Sequence, residues 1–554
     1  MTLRSLALAV TITAALSCGG PPESDVRMPA PVRVAPVPPV TALVPAADAG
    51  VVAPASASES AILEATISDL SAAMAAGRTS AVELVDAYLA RIEAIDRRGP
   101  ELRAVVEVNP EARAIAEALD RERKDRGVRG ALHGIPIVIK ENIGTADQME
   151  TTAGSLALIG ARPKRDAHLV TRLRAAGAVN LGKTNLSEWA NFRSTHATSG
   201  WSGRGGQTKN AYVLDRTPCG SSAGSGTAVA ASLAPASVGT ETDGSIVCPS
   251  AMSALVGMKP TVGLVSRQGI IPIAPSQDTA GPMTRTVRDA ALLLNVLAGE
   301  DPSDPRTAES KGKRPPDYTT TLSDDGLRGA RIGVARKAFP GHPEVVANIE
   351  RAIAVMKERG AIIVDPVEVP VGFDDKEMDL LLFEFKASIE AYLADLGGGT
   401  KLRTVQDLVA WNEANKAREM PFFGQEIFVR AAAKGPLTSD AYVKLKAELQ
   451  RRARAGIDSA LVKHHLDTLV APTCGPPWVI DRVNGDAFTG ASSTLPAVAG
   501  YPNVTVPSGF VSELPLGISF FGAAYSEAVL LRLAYGYEQA SHARKAPRFL
   551  AHVP

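Results

Sequence analysis

Residues 218–250, PCGSSAGSGTAVAASLAPASVGTETDGSIVCPS, decide how the rest of the chain is interpreted. They contain two turns of small residues, 220–226 and 242–245, separated by a segment whose pattern predicts a short helix and a short strand. Because large side chains are almost absent, backbone N–H groups and hydroxyls can come close to a ligand. Two serine turns of this kind can carry nucleophilic chemistry, or they can be no more than a glycine-rich connection.

The composition is that of a large globular protein. The 554 residues are 45% hydrophobic and 21% charged, with a formal net charge of zero. Because positive and negative residues are interspersed, the charge pattern offers no basis for a nucleic-acid partner or an anionic membrane surface. Beyond the N-terminus, no apolar run reaches the roughly 18 residues that predict a membrane-spanning helix.

The first 60 residues are predicted to lie outside the folded domain. Residues 1–18 have the features of an export signal, with Arg4 before a short apolar run. Cys18 follows small residues, as in a bacterial lipoprotein signal in which Cys18 is acylated, although Ala15 stands where such signals usually have leucine. Residues 19–60 are rich in Pro and Ala and predict a flexible tether. The protein is therefore expected to be exported, either as a membrane-anchored lipoprotein (periplasmic or at the cell surface) or as a secreted protein.

Residues 61–554 are predicted to form one large α/β domain with a central mixed β-sheet covered by helices on both faces, because predicted helices alternate with short strands. One predicted strand, 135–139, is apolar and mostly β-branched, and Lys140 stands at its carboxyl end. Ligands of open α/β sheets bind at the carboxyl ends of strands. Lys140 is thus either a functional residue or a solvated loop residue.

The sequence around the serine turns can be compared with the motifs of several known kinds of catalytic site. Residues 220–224 match G-x-S-x-G with Ser222 as the nucleophile, but this match is frequent in a Ser/Gly-rich segment, and the late histidines lie in no recognisable signature. The glycine-rich segment lacks the lysine of a phosphate-binding loop. No clustered His, Cys and carboxylate residues predict a metal site, and no cofactor is expected.

A serine nucleophile with a lysine base is the remaining option. Burial can lower the pKa of a lysine from about 10.4 towards 7, and Lys140 follows an apolar strand where such burial is expected. Backbone N–H groups of the 242–245 turn could hold the oxyanion, a contribution of about 3 kcal/mol per donor. Ser221 could stand between the lysine and the nucleophile as a proton relay.

This combination of motifs resembles the amidase signature family. The matching stretches are, in order, GIPIVIKEN, GSSAGSG, GTETDGSIVCPS and MKPTVGLVSRQGIIP. The resemblance implies the amidase-signature fold and a Ser–cis-Ser–Lys catalytic set, with Ser245 as nucleophile, Ser221 as the cis-serine and Lys140 as base. The resemblance also implies Ser221 rather than Ser222, because Ser221 lies 24 positions before Ser245, which is the usual spacing in that family. It also implies an oxyanion hole made by the backbone of Thr242, Asp243, Gly244 and Ser245.

Within the family, the wording of the motifs resembles the bacterial peptide amidases. The resemblance is seen in three stretches, which are GKTNLSEWANFR, residues 276–283 and ETDGSIVCPS. In the last of these, Glu241 and Asp243 differ from the residues that most members of the broader family have at these positions. The likeness implies a serine amidohydrolase that cleaves a carboxamide C–N bond, with small-molecule or short-peptide amides as substrates and C-terminal peptide amides, releasing ammonia, as the favoured class. The alternatives are an aryl-acylamidase or esterase, the glutaminase component of a tRNA-dependent amidotransferase, or a non-catalytic binding protein.

Two further sets of residues are of interest near these motifs. Trp189, Arg193 and Trp201 are candidates for lining the acyl pocket, and each is at least as consistent with a structural role. Cys219 and Cys248 flank the two serine turns and are expected to be small buried hydrophobes, with a disulfide or a cysteine nucleophile as the alternative. The oligomeric state is not predicted.

Overall fold

The apolar strand-length runs of the sequence pair with one another in the computed structural model, which describes residues 60–339, 341–373, 375–396 and 399–554. The predicted export signal, Cys18 and all but the last residue of the predicted tether lie outside the described residues. The strands are β1 Val105–Val108, β2 Pro136–Lys140, β3 Val179–Thr184, β4 Trp201–Ser202, β5 Gly206–Gln207, β6 Ala236–Glu241, β7 Val256–Lys259, β8 Thr279–Thr284, β9 Arg331–Val334, β10 Ile362–Val364, β11 Thr468–Pro472, β12 Asn503–Val511 and β13 Leu514–Phe521.

The helices alternate with these strands, as the sequence pattern predicts. They are α1 Ile67–Ala75, α2 Ala81–Arg91, α3 Ala112–Arg126, α4 His168–Ala175, α5 Ala223–Ala230, α6 Val247–Ala251, α7 Val287–Leu297, α8 Pro343–Glu358, α9 Asp375–Leu396, α10 Val405–Ala414, α11 Lys416–Glu419, α12 Glu426–Ala432, α13 Asp440–His464, α14 Thr494–Ala499 and α15 Glu527–Ser541. Shorter 3₁₀ and π turns connect several of them. None of the helices in the described ranges is long and apolar enough to cross a membrane.

Eleven strands of the described chain form one mixed sheet. Their order is β1-β3-β2-β6-β8-β7-β12-β13-β11-β9-β10, while β4 and β5 pair separately. β2 is parallel to both β3 and β6, and β9 is parallel to both β10 and β11. The other pairings are antiparallel. The described residues fall within one compact unit, and the predicted α/β class with a mixed sheet flanked by helices is confirmed.

The sheet places the sequence motifs side by side. Every residue of β2 is buried, as expected for a strand with parallel neighbours on both sides. The register pairs Ile139 with Val238, so β2 and β6 end together at one edge of the sheet. Lys140 at the end of β2 is thereby brought beside Thr240 near the end of β6, although 100 residues separate them in the chain.

Helix α5 can lie close to this edge because its residues are small. All eight of its residues are buried, and it contacts β2, β3 and β6. A Cβ atom at Gly224 would meet the carbonyl oxygen of Ala104 and would lie 2.6 Å from the carbonyl oxygen of Asn185. Backbone atoms cannot move aside as a flexible side chain can, so the close approach requires glycine.

We predict that Gly224→Ala destabilises the protein by about 3 kcal/mol, in the range for overpacked cores. The added methyl group would overlap two backbone carbonyls, so the helix would have to move away from the sheet. Thermal or denaturant unfolding measures the change. Gly435→Ala is the matched control, because that glycine is exposed and a Cβ there would meet no atom within 4 Å. Equal stability of the two variants would contradict the prediction.

Candidate active site

Lys140 is a fully buried lysine at this edge of the sheet. Its Nζ atom lies 2.7 Å from Ser221 Oγ and 2.9 Å from Thr240 Oγ1, and it donates to the Thr240 carbonyl oxygen at 3.2 Å. Burial lowers the pKa of Lys140 to about 7, although the charges of Glu241 and Asp278 act in the opposite direction. A lysine with this pKa can exist as the neutral amine near neutral pH, so it can accept a proton from the Ser221 hydroxyl.

The turn after β6 is held in place by the residue before it. Glu241 is buried, and its Oε2 atom accepts the backbone N–H groups of Ile246 at 2.6 Å and Val247 at 2.9 Å. Gly244 has φ +77°, in the left-handed region that favours glycine. The backbone N–H groups of residues 243–245 donate to no acceptor among the described residues. They are therefore free to bind an oxyanion next to the Ser245 side chain.

Ser221 and Ser222 have different environments, although they are adjacent. Ser221 is fully buried, follows a cis Gly220–Ser221 peptide bond and faces Lys140. Ser222 donates its hydroxyl to the carbonyl oxygen of Thr240 at 3.0 Å, and its N–H donates to the Ser245 carbonyl at 3.2 Å. The Ser222 side chain thus joins the loop to β6, which leaves Ser221 as the serine in contact with the lysine.

A cavity of about 500 Å³ opens onto Ser245. Ser245 is 9% exposed and lines this cavity together with the rest of the 242–245 turn and Gly220. Much of the remaining wall is apolar and comes from distant parts of the chain, including Phe192, Ile273, Met378, Leu381, Trp478, Phe488 and Leu495. The cavity has the volume and the apolar lining of a small-molecule or short-peptide site. It contains no histidine among its described lining residues, so the arrangement does not match the Ser222–histidine alternative.

Carboxyl groups surround the turn. Asp278 accepts the Thr242 hydroxyl at 2.6 Å, and burial raises its pKa to about 6. Asp243 accepts the Thr494 hydroxyl at 2.7 Å, and burial raises its pKa, whereas hydrogen bonds from Ser493 and Thr494 lower it. Burial and the nearby Asp243 raise the pKa of Glu377 to about 8. Among the described residues, no group of three His, Cys, Asp or Glu side chains is arranged to hold a metal ion.

The two cysteines that flank the serine turns form a disulfide, so the expectation of unpaired buried cysteines is wrong. Cys219 and Cys248 are 29 positions apart, with a Cα–Cα distance of 6.1 Å, and both line the cavity. The bond connects the loop that carries Ser221 to the helix that follows Ser245. The disulfide was the weaker alternative from sequence, because pairing depends on the fold that brings the two turns together.

The three candidate pocket residues lie elsewhere. Trp189 is buried and packs edge-on against Phe428 at 5.4 Å between ring centroids. Arg193 is fully buried, forms an ion pair with Glu188 at 2.6 Å and lies 5.8 Å from the ring centroid of Trp201. None of the three predicted residues lines the cavity at Ser245, whereas their neighbours Ala190, Asn191 and Phe192 do. Their contacts are those of structural residues.

Sequence reasoning missed other residues of the site. Thr240 and Asn142, whose amide donates to Thr240 Oγ1 at 3.0 Å, form the surroundings of the lysine. Pairing β2 with the strand before the second serine turn would have indicated Thr240. The residues of the distant cavity wall, such as Trp478 and Met378, could not be predicted in this way, because no sequence pattern relates their segments to the serine turns.

Comparison with known proteins gives the same family over most of the chain. The family model described as Amidase matches residues 83–531. A probable amidase of Arabidopsis thaliana is 41% identical over 504 residues, covering 88% of this chain and 92% of the relative.

Solved structures are also similar along nearly their whole length. The native peptide amidase from Stenotrophomonas maltophilia is 51% identical, with a TM-score of 0.83, and the alignment covers 88% of this chain and 99% of that chain. An amidase family protein from Bacillus anthracis is 37% identical, with a TM-score of 0.81 and coverage of 89% and 94%. The sheet and its flanking helices therefore match experimentally determined folds.

We predict that replacing both Cys219 and Cys248 by serine lowers the free energy of unfolding by about 3–4 kcal/mol, because a bond closing a loop of this length restricts the unfolded chain. Thermal unfolding of the double variant, and of the unchanged protein with a reductant, measures the effect. Cys474→Ser is the control, since Cys474 is a buried free cysteine. An unfolding transition of the double variant equal to that of the unchanged protein would show that the bond adds no stability.

Proposed function

The chain belongs to the amidase family and is a hydrolase of carbon–nitrogen bonds; we propose that it cleaves carboxamides through an acyl-enzyme on Ser245. Ser221 is the proton relay and Lys140 the base in this proposal. The observation that carries it is the 2.7 Å contact between Lys140 Nζ and Ser221 Oγ, directly behind a cavity that Ser245 lines. Burying a lysine costs free energy because its charged form loses water. A buried lysine with a lowered pKa, in contact with a serine next to a cavity, is therefore typical of a functional site.

In the first half of the reaction, neutral Lys140 takes the proton of the Ser221 hydroxyl while Ser221 takes that of Ser245. The Ser245 oxygen forms a bond to the amide carbonyl carbon, and the carbonyl π electrons move to the oxygen. The free N–H groups of residues 243–245 stabilise this oxyanion. Each such donor contributes about 3 kcal/mol to the transition state.

In the second half, the tetrahedral intermediate collapses. The C–N bond breaks as the proton held on Lys140 returns through Ser221 to the leaving nitrogen, so an amine or ammonia departs neutral. A water molecule then attacks the ester carbonyl, giving its proton to the same relay. The acid is released, Ser245 regains its hydroxyl proton and the charge of each group is restored.

For the substrate, we favour C-terminal amides of short peptides. The half-identical Stenotrophomonas maltophilia relative is a peptide amidase, and the two chains align along nearly all of that protein. The apolar wall of the cavity suits peptide side chains, and its volume of about 500 Å³ holds a few residues. The bond broken would be the terminal carboxamide, with ammonia as the leaving group.

The second candidate is an aryl-acylamidase or esterase. Aromatic residues Phe192, Trp478 and Phe488 line the cavity and can pack against an aromatic amine or alcohol. The acyl-enzyme chemistry would be the same. A role within a tRNA-dependent amidotransferase fits less well with the predicted export signal, which itself stays a prediction, as does acylation of Cys18. A non-catalytic binding protein would have no use for the buried Lys140–Ser221 contact.

We predict that Ser245→Ala abolishes amide hydrolysis, and that Lys140→Ala lowers kcat/KM at least about 10³-fold, because the relay loses its base. Release of ammonia from a neutral dipeptide amide measures the rate, with an anilide, an ester and a fatty amide assayed beside it. Ser222→Ala is the matched control, since the Ser222 hydroxyl bonds to β6 and does not line the cavity.

Wild-type turnover by the Ser245→Ala variant would refute the nucleophile, and loss of activity only in Ser222→Ala would point to Ser222. Faster turnover of the anilide or the ester than of the peptide amide would favour the second candidate over the first. In that outcome the catalytic residues would stand and the substrate class would change.

We predict that kcat/KM rises with pH to a plateau, with an apparent pKa near 7. Burial lowers the pKa of Lys140 to about 7, and only the neutral amine can accept the Ser221 proton. The rate should therefore fall about tenfold for each pH unit below this value, where the lysine is protonated. A pH–rate profile of the free enzyme on an uncharged peptide amide tests this. A profile without a limb near pH 7 would contradict a lysine base with the lowered pKa.

A further inference from the structure

We infer that Asp243 makes the cavity select against negative charge, so that it accepts neutral or cationic acyl groups and expels the carboxylate product. This inference deepens the proposed function and rests on it. The first observation is the sign of the charged lining: Asp243 and Asp486 both line the cavity, and no Lys, Arg or His is among its described lining residues. An anionic acyl group would therefore meet carboxylates with no cation to balance them.

The cations nearest to the turn have other partners. Lys140 lies behind Ser221 and is the base of the proposed reaction. Lys259 is fully buried and donates to the Tyr501 carbonyl oxygen at 2.6 Å. Neither side chain lines the cavity. A carboxylate on the substrate would thus have no ion-pair partner there.

Asp243 is the cavity-lining carboxylate that belongs to the same turn as Ser245. It stands two residues before Ser245 in the same turn, and the Thr494 hydroxyl donates to its Oδ2 atom at 2.7 Å. Asp486 is held further along the wall, where it accepts the Ser199 hydroxyl at 2.6 Å and the Trp478 indole N–H at 3.0 Å. Both side chains line the cavity and are held in place by hydrogen bonds, so an anion bound in the cavity would lie near them.

Hydrolysis itself creates such an anion. The amide substrate is neutral at its reacting group, whereas cleavage of the C–N bond and addition of water yield a carboxylic acid that loses its proton. The new negative charge is shared by the two oxygens on the carbon that Ser245 had bonded, next to the turn that carries Asp243. Repulsion between the two carboxylates would therefore weaken binding of the product and leave binding of the amide unaffected.

The experiment compares one dipeptide amide in three N-acylated forms, with a neutral acetyl, a permanently cationic trimethylammonioacetyl or an anionic succinyl group, because a free α-amino group would lose its charge in alkaline buffer. Values of kcat/KM are measured in alkaline buffer, because burial raises the pKa of Asp243 and Asp486 and a higher pH favours their charged forms. The inhibition constant of the acetyl dipeptide acid is measured in the same buffer. The unchanged enzyme should use the succinyl form at least about tenfold less well than the neutral form, which corresponds to about 1.4 kcal/mol.

Asp243→Asn should reduce that discrimination and tighten inhibition by the acid about tenfold, because the amide oxygen still accepts from Thr494 while the charge is gone. Asp324→Asn is the matched control, since it removes one carboxylate from an exposed position outside the cavity. It should leave both quantities unchanged. Equal kcat/KM values for the three substrates with the unchanged enzyme would overturn the inference, whether or not Asp243→Asn folds. An inhibition constant of the acid that is the same for the unchanged enzyme and for Asp243→Asn would also overturn it.

Failure of the proposed function gives a different result. If no amide, anilide or ester is turned over, the hydrolase proposal fails, and calorimetric binding of the three dipeptide amides to the Ser245→Ala variant tests the charge selection alone. Weaker binding of the succinyl form would support it. Binding of all three with the same affinity would refute it.

Discussion

The contact between Lys140 and Ser221 is the constraint on which the rest of this site depends. A lysine amine is retained in an interior from which water is excluded, and its bonding partners are uncharged hydroxyl and carbonyl groups. Had a carboxylate been in direct contact with the amine, the ion pair would have raised the lysine pKa and removed the base. The two carboxyls that do act on it, Glu241 and Asp278, instead accept backbone N–H groups, that of Ile246 after the turn and that of Ile273 in a separate loop.

Lys140 can act on the proposed nucleophile only if both serine turns lie close to it. Small residues allow the two turns to come this close. Helix α5 contributes no large side chain between β2, β3 and β6, so the loop before it and the turn after β6 can meet. The Ser222–Ser245 backbone hydrogen bond and the Cys219–Cys248 disulfide then join the two turns directly. Ser221 and Ser245 are positioned by this shared scaffold.

The same turn connects catalysis with selectivity. The N–H groups of residues 243–245 have no acceptor in the part of the chain that the structure describes and suit an oxyanion, whereas the turn's one ionisable side chain, Asp243, is a carboxyl group. In the proposed reaction, the single oxygen of the short-lived oxyanion is held by hydrogen bonds, whereas the product carboxylate keeps a full negative charge near Asp243 until it leaves. In the two proposals, the 242–245 turn therefore contributes to catalysis through its backbone N–H groups and to product release through the Asp243 side chain.

Much of this was predictable from sequence because it rests on local patterns. The apolar strand ending in Lys140, the two serine turns and the alternation of helices and strands indicated the α/β class and the family, and the structure and comparisons confirm both. The roles of Lys140, Ser221 and Ser245 stay predictions, supported by the geometry.

Sequence alone determined which residues have the chemistry of a nucleophile, a relay and a base, since that chemistry belongs to the side chains and their immediate neighbours. Only the tertiary structure decided what surrounds them. Thr240 reaches Lys140 through strand pairing, Cys219 reaches Cys248 through the packing of α5, and the cavity wall comes from segments hundreds of residues away. The tertiary structure also places Trp189, Arg193 and Trp201 outside the lining of the cavity. Such contacts depend on the pairing of distant segments in a sheet, which no local pattern encodes.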